Sequence, residues 1–317
     1  MAKQHYVPQL LLRNFAMNSK KKGIYVFDKQ KETSYYDGID RISAEKGFYD
    51  LEVDEDLQRI ENRVGTVIKK IIDKESLINL ADGEKYLLSE FIAIQITRVK
   101  HIRTEMLKLI KNQNGKLKIG TTVVELESSL EEIVRIASMM NIGNPAYIPY
   151  IHDKLWLLFK TKETCPFYTS DNPITLQCLH PNNFDSSGKY EELGIAVKDI
   201  EIYFPISKTL SMGIFSKNNV DNIRNRYRKC KTFKALCRVS TDFIKRVEAD
   251  KIRYERLMTG LETGQAIPSD NDIVMNINSL QVKSSSRFVY SCTDNFDLVR
   301  QMLKENPLFK HGPRTSI

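Results

Sequence analysis

Hydrophobic positions change period along this chain, and the changes mark out its elements. Leu10, Leu11, Leu12 and Phe15 supply the buried side of a short helix predicted over 5–16, entered through Pro8, which a first helical turn tolerates. The runs 23–28 and 32–36 read as two strands of a hairpin. Leu57, Ile60, Val64, Val67 and Ile71 recur at helical spacing and predict a helix over 54–72, with acidic residues at its start, where the helix dipole favours them. A second helix is predicted from Asp82, as its N-cap, to about Lys111. A third is predicted over about 122–140, ended by Asn141, Gly143 and Pro145.

The pattern then turns to strands. Residues 155–159 form a continuous apolar run of buried-strand length. Ile200, Ile202, Phe204 and Ile206 alternate with polar or bulky neighbours, and so do Leu210, Met212 and Ile214. Joined through Ser207 and Lys208, these segments predict a hairpin with one face buried. Helical spacing returns after Asn218, a strand is predicted over 287–291, and a last helix over 294–304. Helices gathered on either side of a mainly antiparallel strand region indicate an α+β fold. No Pro/Gly/Ser tract or repeat divides the 317 residues. One interwoven domain is expected, with N-terminal helices, a core over 5–291, and a C-terminal helix and tail over 292–317.

Composition adds limits. With 41% hydrophobic and 28% charged residues the chain can bury a sizeable core. No segment approaches the roughly 18 uninterrupted apolar residues of a membrane span, and the first residues lack the apolar stretch of a secretory signal. A cytoplasmic protein with no membrane partner is expected. Five cysteines without a CxxC pair point to reduced thiols in the interior. A net charge of +8 suits an anionic partner, RNA or DNA. Basic residues are densest over 222–231, with Lys234 and Arg238 following, and Tyr227 sits among the arginines. Such a stretch can follow a phosphate backbone, although its plainer reading is a solvated helix face.

Four segments fit simple packing poorly: His5-Tyr6-Val7-Pro8-Gln9 with Leu12-Arg13-Asn14-Phe15; Ser43 to Tyr49; Phe91 to Arg98; and Thr169-Ser170-Asp171-Asn172-Pro173 with Phe204-Pro205-Ile206-Ser207. In order and spacing, from His5 to about Ser291, they resemble the DUF4238 family, whose most recognisable feature is the HYVPQ opening. The resemblance implies a shared fold and a shared site, and no mechanism.

The residues themselves suggest where that site lies. Phe91, Gln95, Arg98 and Ile102 share one helix face, with Leu87 behind them, so an amide and a guanidinium interrupt an apolar stripe. A buried guanidinium needs an anion, and Asp171 or Glu45 is the expected partner. Asp171 follows an apolar pair and belongs at a strand end. His5 has the side chain best suited to proton transfer near neutrality. The expectation is one polar pocket with His5, Glu45 and Asp171 as catalytic residues and Gln9, Arg13, Gln95, Arg98 and Asn172 holding an anionic substrate, a phosphodiester by preference. A divalent metal is admissible there, and the oligomeric state is left open. The same residues also make ordinary structure: Asp171-Asn172-Pro173 is turn chemistry, and Gln95 with Arg98 can form a satisfied core network.

Phosphate-binding loops, dinucleotide fingerprints, HExxH and GxSxG are absent. So is the carboxylate followed by Glu-x-Lys of many metal-dependent nucleases. Two readings stand: a nucleic-acid-processing enzyme, nuclease-like and of the kind bacteria deploy against phage, or a non-catalytic module that binds nucleotide or RNA or scaffolds a partner.

Overall fold

In the computed structural model, which describes residues 3–17, 20, 22–49, 51–104, 116–119, 122–125, 145–178, 195–197, 199–233 and 240–312, Pro8 shapes how the chain begins. A residue before proline is kept from helical backbone angles. The chain therefore starts as a strand, Lys3–His5 (β1), and turns at Pro8 into a short helix, Gln9–Leu12 (α1), and a 3-10 turn, Arg13–Phe15. His5 thus lies on a strand and not in the predicted helix. Gly23–Asp28 (β2) and Thr33–Gly38 (β3) form the expected hairpin, in which the Asp28 carboxylate accepts the N–H groups of Gln30 and Lys31 at 3.0 and 3.3 Å. Ala44–Lys46 (β4) then returns antiparallel to β1, placing Glu45 opposite Gln4.

Leu51–Lys74 (α2) and Asp82–Thr97 (α3) pack together. Ala81, not Asp82, caps α3, and the Glu84 carboxylate accepts the Ala81 N–H at 2.9 Å. The second predicted helix is broken: Arg98 is the C-cap of α3, helical turns resume over 100–104, and 105–111 lie outside the described residues. The third is contradicted at its start. Lys116–Ile119 (β5) and Thr122–Glu125 (β6) pair as a ribbon, as the β-branched run Thr122-Val123-Val124 favours, while 126–140 lie outside the described residues.

After a short helix, Ile148–His152 (α4), come Leu155–Lys160 (β7), Thr169–Ser170 (β8), Thr175–Gln177 (β9), Glu201–Pro205 (β10) and Leu210–Phe215 (β11). Two long helices, Lys217–Thr232 (α5) and Thr241–Thr263 (α6), pack as a pair, capped by Ser216 and Ser240. Ile267–Pro268 (β12), Asn271–Ser284 (α7), Phe288–Ser291 (β13) and Asp297–Glu305 (α8) complete the order.

One sheet runs β12-β7-β11-β10-β9, antiparallel except where β12 joins β7; the other runs β3-β2-β13-β8, antiparallel throughout. Strands from both ends of the chain meet in the second sheet, so the fold is a single interwoven α+β domain. The β10–β11 hairpin forms as expected, its turn held by Ser207 Oγ accepting the N–H groups of Thr209 and Leu210. It differs in being buried on both faces. Phe204 packs on Phe91 of α3, with ring centroids 6.1 Å apart. Tyr203 points the other way and packs on Phe159 and Phe215 at 6.3 and 5.9 Å. Gly213 is its register partner, and a Cβ there would lie 2.5 Å from the Phe159 ring. Helix α6 packs beside this face on β7 and β12, where Gly260 approaches Leu157 and Ile267.

Candidate functional site

Strand alternation decides what the N-terminal motif can present. Gln4 and Tyr6 turn inward and are buried, while His5, between them, lies half-buried on the other face. The His5 imidazole meets the Ile39 carbonyl through Nε2 at 3.2 Å and the Gln9 amide at 3.4 Å. Arg13 donates to Gln9 Oε1 at 2.7 Å, so Arg13, Gln9 and His5 form one hydrogen-bonded row. Burial, with help from the charges of Lys3 and Arg98, holds the His5 pKa below 6.5. The folded state therefore favours the neutral ring, and the stability tied to it is present above pH 6.5 and declines as pH falls toward the folded value. An NMR titration of His5 is expected to give a midpoint below 6.5; a midpoint at or above that value contradicts this account.

Beneath the row, α3 grips the backbone of the same motif. Gln95 Nε2 donates to the Tyr6 carbonyl at 2.9 Å; Arg98 donates through Nε to Tyr6 O at 3.3 Å and through Nη2 to His5 O at 3.1 Å. The anion that pairs with Arg98 is Glu61 of α2, at 2.7 Å, and neither Asp171 nor Glu45. Glu45 instead pairs with Lys100. As the register partner of Gln4, Glu45 leaves the ribbon on the face opposite His5, which separates two of the three expected catalytic groups. Gln95 Oε1 and Arg98 Nη1 are buried without a partner among the described residues.

Asp171 follows β8, at a strand end as expected, but it is closed off at 4% exposure. Its carboxylate accepts three successive backbone N–H groups, from Ser286 at 2.8 Å, Arg287 at 2.8 Å and Phe288 at 3.0 Å, fixing the approach to β13. Burial pushes its pKa up, against those donors and the charge of Lys29. Lys29 is itself fully buried, and its Nζ donates to the carbonyls of Val282, Ser285 and Phe309 at 2.8, 2.6 and 2.5 Å. Burial pulls its pKa down to about 8, with Asp171 opposing. Asn172 Nδ2 is spent on the Ser284 carbonyl at 3.2 Å.

The expected shared pocket is thus not formed. His5, Gln9 and Arg13 meet, with Gln95 and Arg98 behind them, but Asp171 and Asn172 clamp a different strand, and no hydrogen bond or ion pair joins Asp171 to His5 or Arg98 among the described residues. Nor is any group of three or more His, Cys, Asp or Glu side chains placed to hold a metal ion among those residues.

The basic stretch lies on α5, which carries six lysines and arginines against one acid, Asp221. Arg224 pairs with Asp221 at 2.6 Å, and Arg226 lies 3.5 Å from the Tyr254 hydroxyl of α6. Arg228, Lys229 and Lys231 are exposed and make no ion pair among the described residues; Lys231 Nζ stands 5.9 Å from the centre of the Tyr227 ring. Lys234 and Arg238 lie outside the described residues.

Compared with known families, residues 3–295 match the model described as a protein of unknown function, DUF4238. The chain belongs to the DUF4238 family. No curated protein and no solved structure matches it. Within this DUF4238 chain the carbonyls of His5 and Tyr6 are held by Gln95 and Arg98, and the Ser43 hydroxyl meets the Tyr290 hydroxyl at 2.6 Å. No helix among the described residues is long and apolar enough to cross a membrane.

Among the partners of Arg98 and Asp171, Glu61 and Lys29 are not evident as such from the sequence. Glu61 had a signal: it stands four residues after Leu57 and three before Val64, an acid inside the apolar stripe of α2. Lys29 had none, because Asp28-Lys29-Gln30-Lys31 reads as a solvated turn.

Proposed function

We propose that this DUF4238 chain is a non-catalytic module that binds RNA or DNA along the exposed side of α5. The observation that carries the reading is the excess of cations on that helix, with Arg228, Lys229 and Lys231 exposed and free of ion pairs among the described residues. A solvated helix face ordinarily interleaves acids with its bases, whereas α5 leaves most of its charge uncompensated and open to a polyanion. Tyr227 among these cations adds a ring on which a base can stack. The engagement of Asp171 by three backbone donors, and of Arg98 by Glu61, favours binding over phosphodiester hydrolysis.

Fluorescence anisotropy with labelled RNA and DNA tests this. Affinity is expected to fall steeply with salt. The variant R228Q/K229Q/K231Q is expected to bind about tenfold more weakly or worse, with a salt slope reduced by roughly 2 to 3. Equal affinity in the variant and the parent overturns the reading. Strand shortening that requires a divalent metal and is lost in a folded Asp171→Asn protein supports the nuclease alternative instead.

A further inference from the structure

Away from the basic helix, the α2–α3 connection, the indole of Trp156 and the end of α6 line an open cleft of about 290 Å³. Leu77, Leu80 and Leu261 give it apolar walls, Lys85 reaches it from the first turn of α3, and Glu262 also borders it. The cleft is preformed. The Leu77 N–H and the Ser76 hydroxyl both donate to the Gly264 carbonyl, at 2.7 and 3.2 Å, and the Ala266 N–H donates to Glu75 O at 2.9 Å, so the two walls are stitched together. Gly264 adopts φ +67°, and a Cβ there would come within 2.8 Å of the Ile78 nitrogen, so the close approach needs glycine.

Lys85 is the chemically active part of this lining. Its ammonium lies 5.5 Å from the centre of the Trp156 ring and donates to the Lys154 carbonyl at 3.1 Å. An ammonium carries three donors, and that carbonyl is its one hydrogen-bond acceptor among the described residues, with Asp82 and Asp153 acting only at longer range. A half-buried cation with donors to spare, beside an indole and leucine side chains, fits a ligand that is apolar at one end and anionic at the other.

We propose that this cleft binds a small organic monoanion, its carboxylate taken by Lys85 and its apolar or aromatic body laid against Trp156 and the leucines. The volume stands near the lower end for ligand sites, roughly 300 Å³, which limits the ligand to a compact molecule. Glu262 borders the same cleft, so a second negative group on the ligand is repelled and dianions are disfavoured.

The chain has a single tryptophan, so its fluorescence reports on this cleft alone. Titration of the full chain with phenylacetate is expected to give a saturable change in Trp156 emission. Phenylacetamide, the neutral counterpart, is expected to bind about tenfold more weakly, as is phenylacetate to Lys85→Gln, because each loses a charge-assisted hydrogen bond. Phenylmalonate is expected to bind weakly until Glu262→Gln removes the opposing charge. Calorimetry on the same solutions separates binding from a changed Trp environment in the variants. No saturable response to phenylacetate or octanoate overturns the proposal, and so does equal affinity for the acid and the amide, which wild-type protein alone decides. The outcome is independent of whether α5 binds nucleic acid.

Discussion

Asp171→Ala is expected to destabilise the chain by about 3–5 kcal/mol, lowering Tm by roughly 10 °C. The carboxylate accepts three adjacent backbone N–H groups at 2.8–3.0 Å in a site closed to water, and alanine leaves all three without an acceptor. It also removes the negative charge that favours the buried ammonium of Lys29. Each orphaned buried donor costs about 1–3 kcal/mol, so the loss takes a large share of the 5–15 kcal/mol that holds a typical domain together. Asp171→Asn is expected to rescue little, since its amide offers one acceptor oxygen and turns an N–H₂ toward donors. Thermal unfolding and urea titration read the effect. If Asp171→Ala unfolds at the temperature of the parent, the clamp on β13 contributes nothing and the residue must serve another purpose.

Arg98→Ala is expected to cost about 3 kcal/mol and to act locally. The guanidinium joins three elements: α3 carries it, Glu61 of α2 neutralises it, and β1 is held through the carbonyls of His5 and Tyr6. Without it Glu61, at 19% side-chain exposure, is left without its cation, and of the two α3 side chains that grip the carbonyls of β1 and Tyr6, Gln95 remains. Hydrogen exchange should accelerate at the Tyr6 N–H, which bonds Ser43 O at 3.0 Å, more than in the β10–β11 hairpin. Arg98→Lys should recover only part of the loss, because an ammonium cannot span a carboxylate and two carbonyls as the planar fork does. Uniform acceleration across both regions would show that Arg98 supports the whole core and not the ribbon in particular.

What was legible in the sequence followed from local period. Alternation along 200–214 located the β10–β11 hairpin to within a residue or two, and the Leu57 to Ile71 spacing located α2. Burial of both hairpin faces was not legible, because Tyr203 and Glu201 look like the solvent side; Phe159 and Phe215 cover Tyr203, while Asn219 of α5 and the Tyr203 hydroxyl satisfy the Glu201 carboxylate, and none of these partners shows in the local pattern. Gln95 and Arg98 were recognised as polar intruders in an apolar stripe, and both are buried. Apart from Glu61, their targets are backbone carbonyls, which every residue possesses and no sequence advertises. Asp171 was placed correctly at a strand end, yet its partners lie 115–117 residues onward and are again backbone groups. The structure gives it a positional task for that reason: a carboxylate surrounded by N–H donors acts as a clamp, whereas the same residue type facing solvent can act as a base. The misread start of the third helix had a local cause, since Thr122, Val123 and Val124 are better strand formers than helix formers.

The sheet β3-β2-β13-β8 has a consequence for how the molecule comes into being. A ribosome releases β2 and β3 early, but the strand that must lie beside β2 is encoded more than 250 residues later, at Phe288–Ser291. Until then the nascent hairpin exposes one bare edge, and the ammonium of Lys29 has none of the carbonyls that will enclose it. Closure of so long a loop makes for slow folding and a long exposure to aggregation. A polypeptide cut short before position 288 lacks both the strand that joins β2 to β8 and the helix α8 that follows it.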